Sequence, residues 1–174
     1  ARAMKELWDK FPVILKASSG SQTGVGVVIN ESEKSLHATV QMIKLLNKNI
    51  DLILQEYVKI EYDVRAVVLD GKVIASMKRN VAEGDFRSNA SLGATTEEHE
   101  LTELEKFECE NAAKLVNGKL IGVDFMPAKN REKEQPYILE VNSMPGFSGI
   151  ERSTKDKSVT SEILKTYMNK ENWR

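Results

Sequence analysis

Apolar positions along the chain switch between two rhythms, and the switches mark its elements. Val13-Ile14-Leu15-Lys16-Ala17, entered after Pro12, reads as a buried strand. Ser18 to Gly24 follows as a loop and Val25 to Ile29 as a second strand. Leu36, Val40, Ile43 and Leu46 then recur at helical spacing behind Ser32, a good cap, and the pattern stops near Asn47. Leu52 to Val58 returns to strand character. Val64 to Leu69 and Val73 to Met77 are joined by Asp70-Gly71, the dipeptide suited to a two-residue type I′ hairpin. Thr95-x-x-Glu98 offers a capping box before Leu101, Leu104, Phe107, Ala112 and Leu115, a long amphipathic helix that Gly118 can end. Strands follow at Leu120 to Met126 and Tyr137 to Val141, separated by the charged loop Lys129 to Glu134. A last helix over about Val159 to Met168 puts Val159, Ile163, Leu164 and Tyr167 on one face. Without repeats, low-complexity tracts or a proline-rich linker, these pieces predict one continuous α+β unit.

Composition narrows the function classes. The 174 residues, 41% hydrophobic and 29% charged, are enough to bury a core, and a net charge of -1 gives no bulk attraction for nucleic acid or an anionic membrane. The single cysteine, Cys109, falls in a helical pattern as a small buried hydrophobe and has no internal disulfide partner. No apolar stretch reaches the length of a membrane span, and Ala1 to Leu7 lacks a signal-peptide core, so the cytoplasm is the expected compartment.

Chemistry concentrates near the C-terminal strands. Side chains on a strand alternate, so Glu140 and Asn142 in Tyr137-Ile138-Leu139-Glu140-Val141-Asn142-Ser143-Met144-Pro145-Gly146 share a face. Asp124, in Gly122-Val123-Asp124 on the preceding strand, can bring a third oxygen to the same point. Two carboxylates and an amide oxygen, without sulfur or imidazole, suit a hard cation such as magnesium; solvated acids at strand ends are the alternative.

Gly20-Ser21-Gln22-Thr23-Gly24-Val25-Gly26 is a second signal, because glycines let backbone N–H groups approach phosphate oxygens. It is neither a Walker A loop nor a dinucleotide turn, since no Gly-Lys-Ser/Thr follows and a strand comes next; a plain hairpin loop has the same look. Lys16 on the preceding strand can supply a cation, or simply end that strand. Gln55-Glu56-Tyr57 can offer an adenine edge its backbone, and Glu56 or Asp63 can accept from ribose hydroxyls, provided a nucleotide is present. Arg79 and Glu83-Gly84-Asp85-Phe86-Arg87-Ser88-Asn89 set two guanidiniums and an amide around a glycine turn, fit for phosphate or carboxylate, or for a salt-bridged surface loop.

In their order, these segments resemble the ATP-grasp ligases, and within them the RimK branch, which joins glutamate or related amino acids to a carboxyl terminus. The resemblance runs from about Val13 to Tyr167 and is most specific at Glu83 to Asn89 and at Glu140 to Gly146, continuing into Gly149-Ile150-Glu151. It implies an α+β ATP-grasp fold with antiparallel-rich sheets and packed helices. The nucleotide would be held between a smaller subdomain, about residues 1–60, and a larger one, about 61–174. It further implies ATP and Mg2+ as cofactors, with Mn2+ as a substitute. Lys16, Gly24 and Gly26 would contact phosphates, Gln55, Glu56 and Tyr57 the adenine, and Asp63 the ribose. Arg87, Ser88 and Asn89 would contact nucleotide and acyl phosphate, and Asp124, Glu140 and Asn142 would ligate magnesium. Arg65 and Arg79 would grip the acceptor carboxylate.

The implied chemistry is amide formation through an acyl phosphate, with glutamate as the amine and a protein or peptide C-terminus as acceptor. A small-molecule amino-acid ligase and a nucleotide-binding module without ligation are the alternatives. The branch also implies homo-oligomers, and no membrane or nucleic-acid partner. Ligases of this branch carry an N-terminal domain and a further phosphate-contacting lysine ahead of the region matched here. A fragment of a longer ligase, or a short form whose acceptor site is incomplete or shared, is therefore expected. Asn80-Val81-Ala82 and Ala90-Ser91-Leu92 lack the basic residues usual around Glu83 to Asn89, which weakens the expected hold on an acidic tail.

Overall fold

A computed structural model describes residues 10–18, 26–81, 95–153 and 158–169. It divides into two compact units, residues 1–59 and 60–174. In the first, strand β1 (Val13–Ala17) lies between β2 (Val27–Asn30) and β3 (Leu52–Glu56), antiparallel to both. Helix α1 (Glu33–Leu46) starts where predicted: Ser32 Oγ accepts from Ser35 N–H at 3.2 Å, and Ser35 Oγ accepts from Ser32 N–H at 3.1 Å. Leu36, Val40 and Ile43 cover Val13, Leu15, Leu52 and Leu54, so alternation leaves Lys16 and Gln55 on the sheet's other face.

The second unit is a five-stranded antiparallel sheet in the order β6-β5-β4-β7-β8. Its strands are β4 (Tyr62–Leu69), β5 (Lys72–Asn80), β6 (Thr96–Glu98), β7 (Leu120–Met126) and β8 (Tyr137–Asn142). Asp70 and Gly71 both take positive φ, 49° and 78°, as the I′ hairpin requires. One face, built on Val64, Ala66, Val68, Val123 and Phe125, is covered by helix α2 (Glu103–Leu115) through Cys109 and Ala113. The other carries Val67, Ala75 and Met77 and is covered by α3 (Ser148–Ser153) and α4 (Val159–Met168) through Ile150 and Val159.

Three expectations are corrected. The capping box lies at Thr102 and Glu105, not at Thr95 and Glu98, because residues 96–98 pair with β5 as an edge strand. The buried phase of α2 is Glu105, Cys109, Ala112 and Ala113, while Phe107 and Leu115 are 58% and 87% exposed. Asn117, with φ 52°, takes the left-handed position after α2 that was assigned to Gly118. The short strand β6 and helix α3 were not anticipated.

Glu105 is 1% exposed yet charged in kind. Arg131, from the loop after β7, closes on it with Nε and Nη2 at 2.8 and 2.7 Å. The same guanidinium donates to the Glu100 carbonyl and meets His99 Nε2 at 2.9 Å, tying α2, the stretch after β6 and the charged loop together. Among the described residues, no helix is long and apolar enough to cross a membrane.

Candidate active site

The register of the larger sheet assembles a polar row on the α3/α4 face. Arg79 on β5 stands opposite Asp63 on β4, Arg65 on β4 opposite Asp124 on β7, and Asp124 opposite Glu140 on β8. The last pairing depends on a bulge. Phe125 pairs with Ile138 while Asp124 pairs with Glu140, so Leu139 is the extra residue of β8. With uninterrupted pairing Glu140 would oppose Val123, in the core under α2; the extra residue returns Val141 to that core and turns Glu140 and Asn142 toward Asp124. Asn142 Nδ2 donates to Glu140 Oε1 at 2.7 Å.

Asp124, 5% exposed, is held by two arginines. Arg65 donates to both carboxylate oxygens, Nε to Oδ1 at 2.7 Å and Nη2 to Oδ2 at 2.6 Å, and Arg79 Nη2 lies 3.0 Å from Oδ2. Arg79 also forms a two-pronged pair with Asp63, at 2.7 and 2.6 Å. Burial opposes the Arg79 charge, but the hydrogen bonds and charges of Asp63 and Asp124 outweigh it and raise its pKa above the ordinary arginine value. Arg65 Nη1 donates to the Gly146 carbonyl at 3.3 Å. Pro145 packs over Gly122, where a Cβ would lie 2.6 Å from the proline Cβ, so the bare glycine lets the Ser143–Gly146 turn fold down onto the row.

The donor set fits a hard cation. Three of the roughly four lone-pair positions of the Asp124 carboxylate are taken, leaving one on Oδ1. Glu140 is exposed and accepts from the neighbouring Asn142 amide. These oxygens, with the Asn142 carboxamide oxygen in place of its Nδ2, would leave the remaining positions of an octahedral ion to water or phosphate. Among the described residues no group of three or more His, Cys, Asp or Glu side chains is placed to hold a metal ion.

The other predicted residues divide between the two units. Lys16, Gln55, Glu56 and Tyr57 belong to the first, and Glu56 lies 3.9 Å from Lys10. Gly26, with φ 88°, is the described end of the glycine segment. Gly24 and the whole of Glu83 to Asn89, including Arg87, Ser88 and Asn89, lie outside the described residues. Asp63, expected at a ribose, is 3% exposed and bound to Arg79, while Arg65 and Arg79, expected at an acceptor carboxylate, both engage Asp124. The joining of these four was not read from the sequence, although Asp63-x-Arg65 on one strand face already carried the signal.

A "Probable alpha-L-glutamate ligase" of Marinomonas sp. (strain MWYL1) is 42% identical over 156 residues, 88% of this chain and 49% of that protein. The protein of the same name from Coxiella burnetii (strain Dugway 5J108-111) is 37% identical over 155 residues, with the same coverage. The chain thus spans about half the length of the curated relatives it matches. Among solved structures, the ATP-grasp ligase PsnB, complexed with Mg, ADP and a phosphomimetic variant of minimal precursor, superposes with a TM-score of 0.71 at 23% identity. That match covers 96% of this chain and 49% of PsnB. D-alanine–D-alanine ligase from Bacillus anthracis gives 0.61 at 22% identity, over 92% of this chain and 53% of that one. These likenesses show the ATP-grasp fold. The RimK-like ATP-grasp domain matches residues 2–166, and the chain belongs to that family.

Proposed function

We propose that the chain is the nucleotide- and metal-binding part of an ATP-dependent carboxylate–amine ligase that adds glutamate to the C-terminus of a protein or peptide. The observation that carries this reading is the gathering of Asp124, Glu140 and Asn142 on one sheet face by the Leu139 bulge. The names of the relatives, alpha-L-glutamate ligases, supply the amine. An acceptor carboxylate oxygen attacks the γ-phosphorus of ATP, the bond to the β,γ-bridging oxygen breaks, and ADP leaves. The amine nitrogen of glutamate then attacks the acyl carbon, phosphate departs, and the nitrogen gives up a proton as the amide forms.

Asp124, Glu140 and Asn142 would hold magnesium, which supplies charge neutralisation at the phosphate oxygens. Arg65 and Arg79 fix the Asp124 carboxylate and are positioning residues in this scheme. Lys16, Gly24 and Gly26 are assigned to nucleotide phosphates, Gln55, Glu56 and Tyr57 to the adenine, and Arg87, Ser88 and Asn89 to nucleotide and acyl phosphate. The test is intact-mass spectrometry of a glutamate-ended peptide incubated with the chain, ATP, Mg2+ and glutamate, beside Glu140→Ala. Added glutamyl mass that vanishes in the variant supports the reading. Amide formation only on a small carboxylate, or ATP binding without any product, replaces it with a small-molecule ligase or a binding module.

A further inference from the structure

We infer that α2 and the loop between β7 and β8 form the contact surface of a symmetric dimer, in which Phe107 of each copy fills a hollow on the other. Phe107 is 58% exposed, a large ring left in water. One turn earlier on α2, Leu104 lines an open hollow of about 720 Å3, together with the buried Ala128 and Pro136 and with Tyr137, itself 58% exposed. Residues three apart on a helix are neighbours on its surface, so the projecting ring and the hollow lie side by side on one patch. A twofold axis through that patch lets two copies exchange rings, because the same surface serves both partners. Leu115, 87% exposed, lies farther along the same side of α2 and extends the apolar area.

The hollow is built before any partner arrives. Arg131 Nη2 reaches Glu105 at 2.7 Å and Gln135 Nε2 donates to Glu108 Oε1 at 3.1 Å, so the loop that forms its rim is fastened to α2. Little ordering is left for association. Charge selects a second copy of this chain as the occupant. Lys133 stands exposed on the rim, while the other rim carboxylate, Glu134, turns back to the Asn130 N–H at 3.4 Å. Beside the ring, one turn before Phe107, Glu103 has 90% of its side chain in solvent. Its 2.6 Å contact with Lys106 is an exposed pair on one helix and holds it weakly. A ring arriving from another copy carries that carboxylate toward Lys133, and the twofold axis makes the pair twice.

Sedimentation velocity over a rising concentration series of the chain tests this. The wild type should pass from monomer to dimer by about 100 µM, as an interface of modest size allows. Phe107→Ser, a change at an exposed position that leaves the core intact, should weaken association about tenfold or more. Lys133→Glu should weaken it too, and Glu103→Lys added to Lys133→Glu should restore it. Leu45→Ser, at an exposed apolar position of α1, is the control and should dimerise as the wild type does. A wild type that stays monomeric at every concentration overturns the inference and needs no variant to fold. Unchanged association in Phe107→Ser, an equal loss in Leu45→Ser, or no recovery in the charge swap overturns it as well.

Discussion

Asp63 and Arg79 face each other across β4 and β5 and are joined by two hydrogen bonds of 2.7 and 2.6 Å, with both side chains almost wholly out of water. Removing either side chain breaks this buried pair, although Arg79 Nη2, where it remains, keeps Asp124 Oδ2 at 3.0 Å. Arg79→Met or Asp63→Asn should cost about 3–5 kcal/mol of unfolding free energy in urea, and the double variant less than the sum of the two.

The clasp of Glu105 and Arg131 makes a comparable demand. Arg131→Met leaves a carboxylate that is 1% exposed without its cation, although Thr102 N–H still donates to it at 3.0 Å. A loss of about 3 kcal/mol is expected in urea unfolding. Hydrogen exchange should report early opening at the start of α2.

His99 predicts a pH dependence. Burial, then the positive charge of Arg131, lowers its pKa, and because arginine only donates, Nε2 must be the unprotonated acceptor. The unfolded imidazole takes up a proton near its ordinary value of about 6.5, while the folded one holds out to lower pH. The stability from this group is thus complete above that value and falls as pH drops through it. His99→Gln should flatten the wild-type decline in urea midpoint between about pH 7.5 and 5.5.

Cys109 should be inert in the folded chain. Burial first, and then Glu105, Glu108, Glu110 and Asp124, push its thiol up to about 12, and the side chain is fully enclosed. Iodoacetamide at pH 8 should leave the native mass unchanged and modify the cysteine only after urea is added.

Gly122→Ala separates the turn from the sheet beneath it. The added methyl would meet Pro145 at 2.6 Å and lift the Ser143–Gly146 turn away from Arg65. About 1–3 kcal/mol of stability should be lost.

What could be read from the sequence was local. Ser32 with Ser35 fixed the start of α1 through hydrogen bonds only three residues apart, and Asp70-Gly71 fixed its hairpin through backbone preference. The phase of α2 was not local. Phe107 and Leu115 are apolar at plausible spacing, but Glu105 is drawn inside by an arginine 26 residues away. The same holds at the site: the oxygen set was legible because Glu140 and Asn142 lie two apart on a strand, whereas the arginines on Asp124 come from β4 and β5. Their pairing depends on strand order, which no short motif encodes.

The extra residue at Leu139 also acts as a safeguard on the site. If β8 slipped back by one position, Glu140 would not be released to solvent; its carboxylate would be driven between Val123 and the underside of α2, while Val141 would lose its place there. The wrong alignment thus carries its own electrostatic penalty. Correct placement of the chemical groups is enforced by the hydrocarbon interior on the far side of the same strand, and a chain that has packed its core has, by that act, already aimed Glu140 and Asn142 toward Asp124.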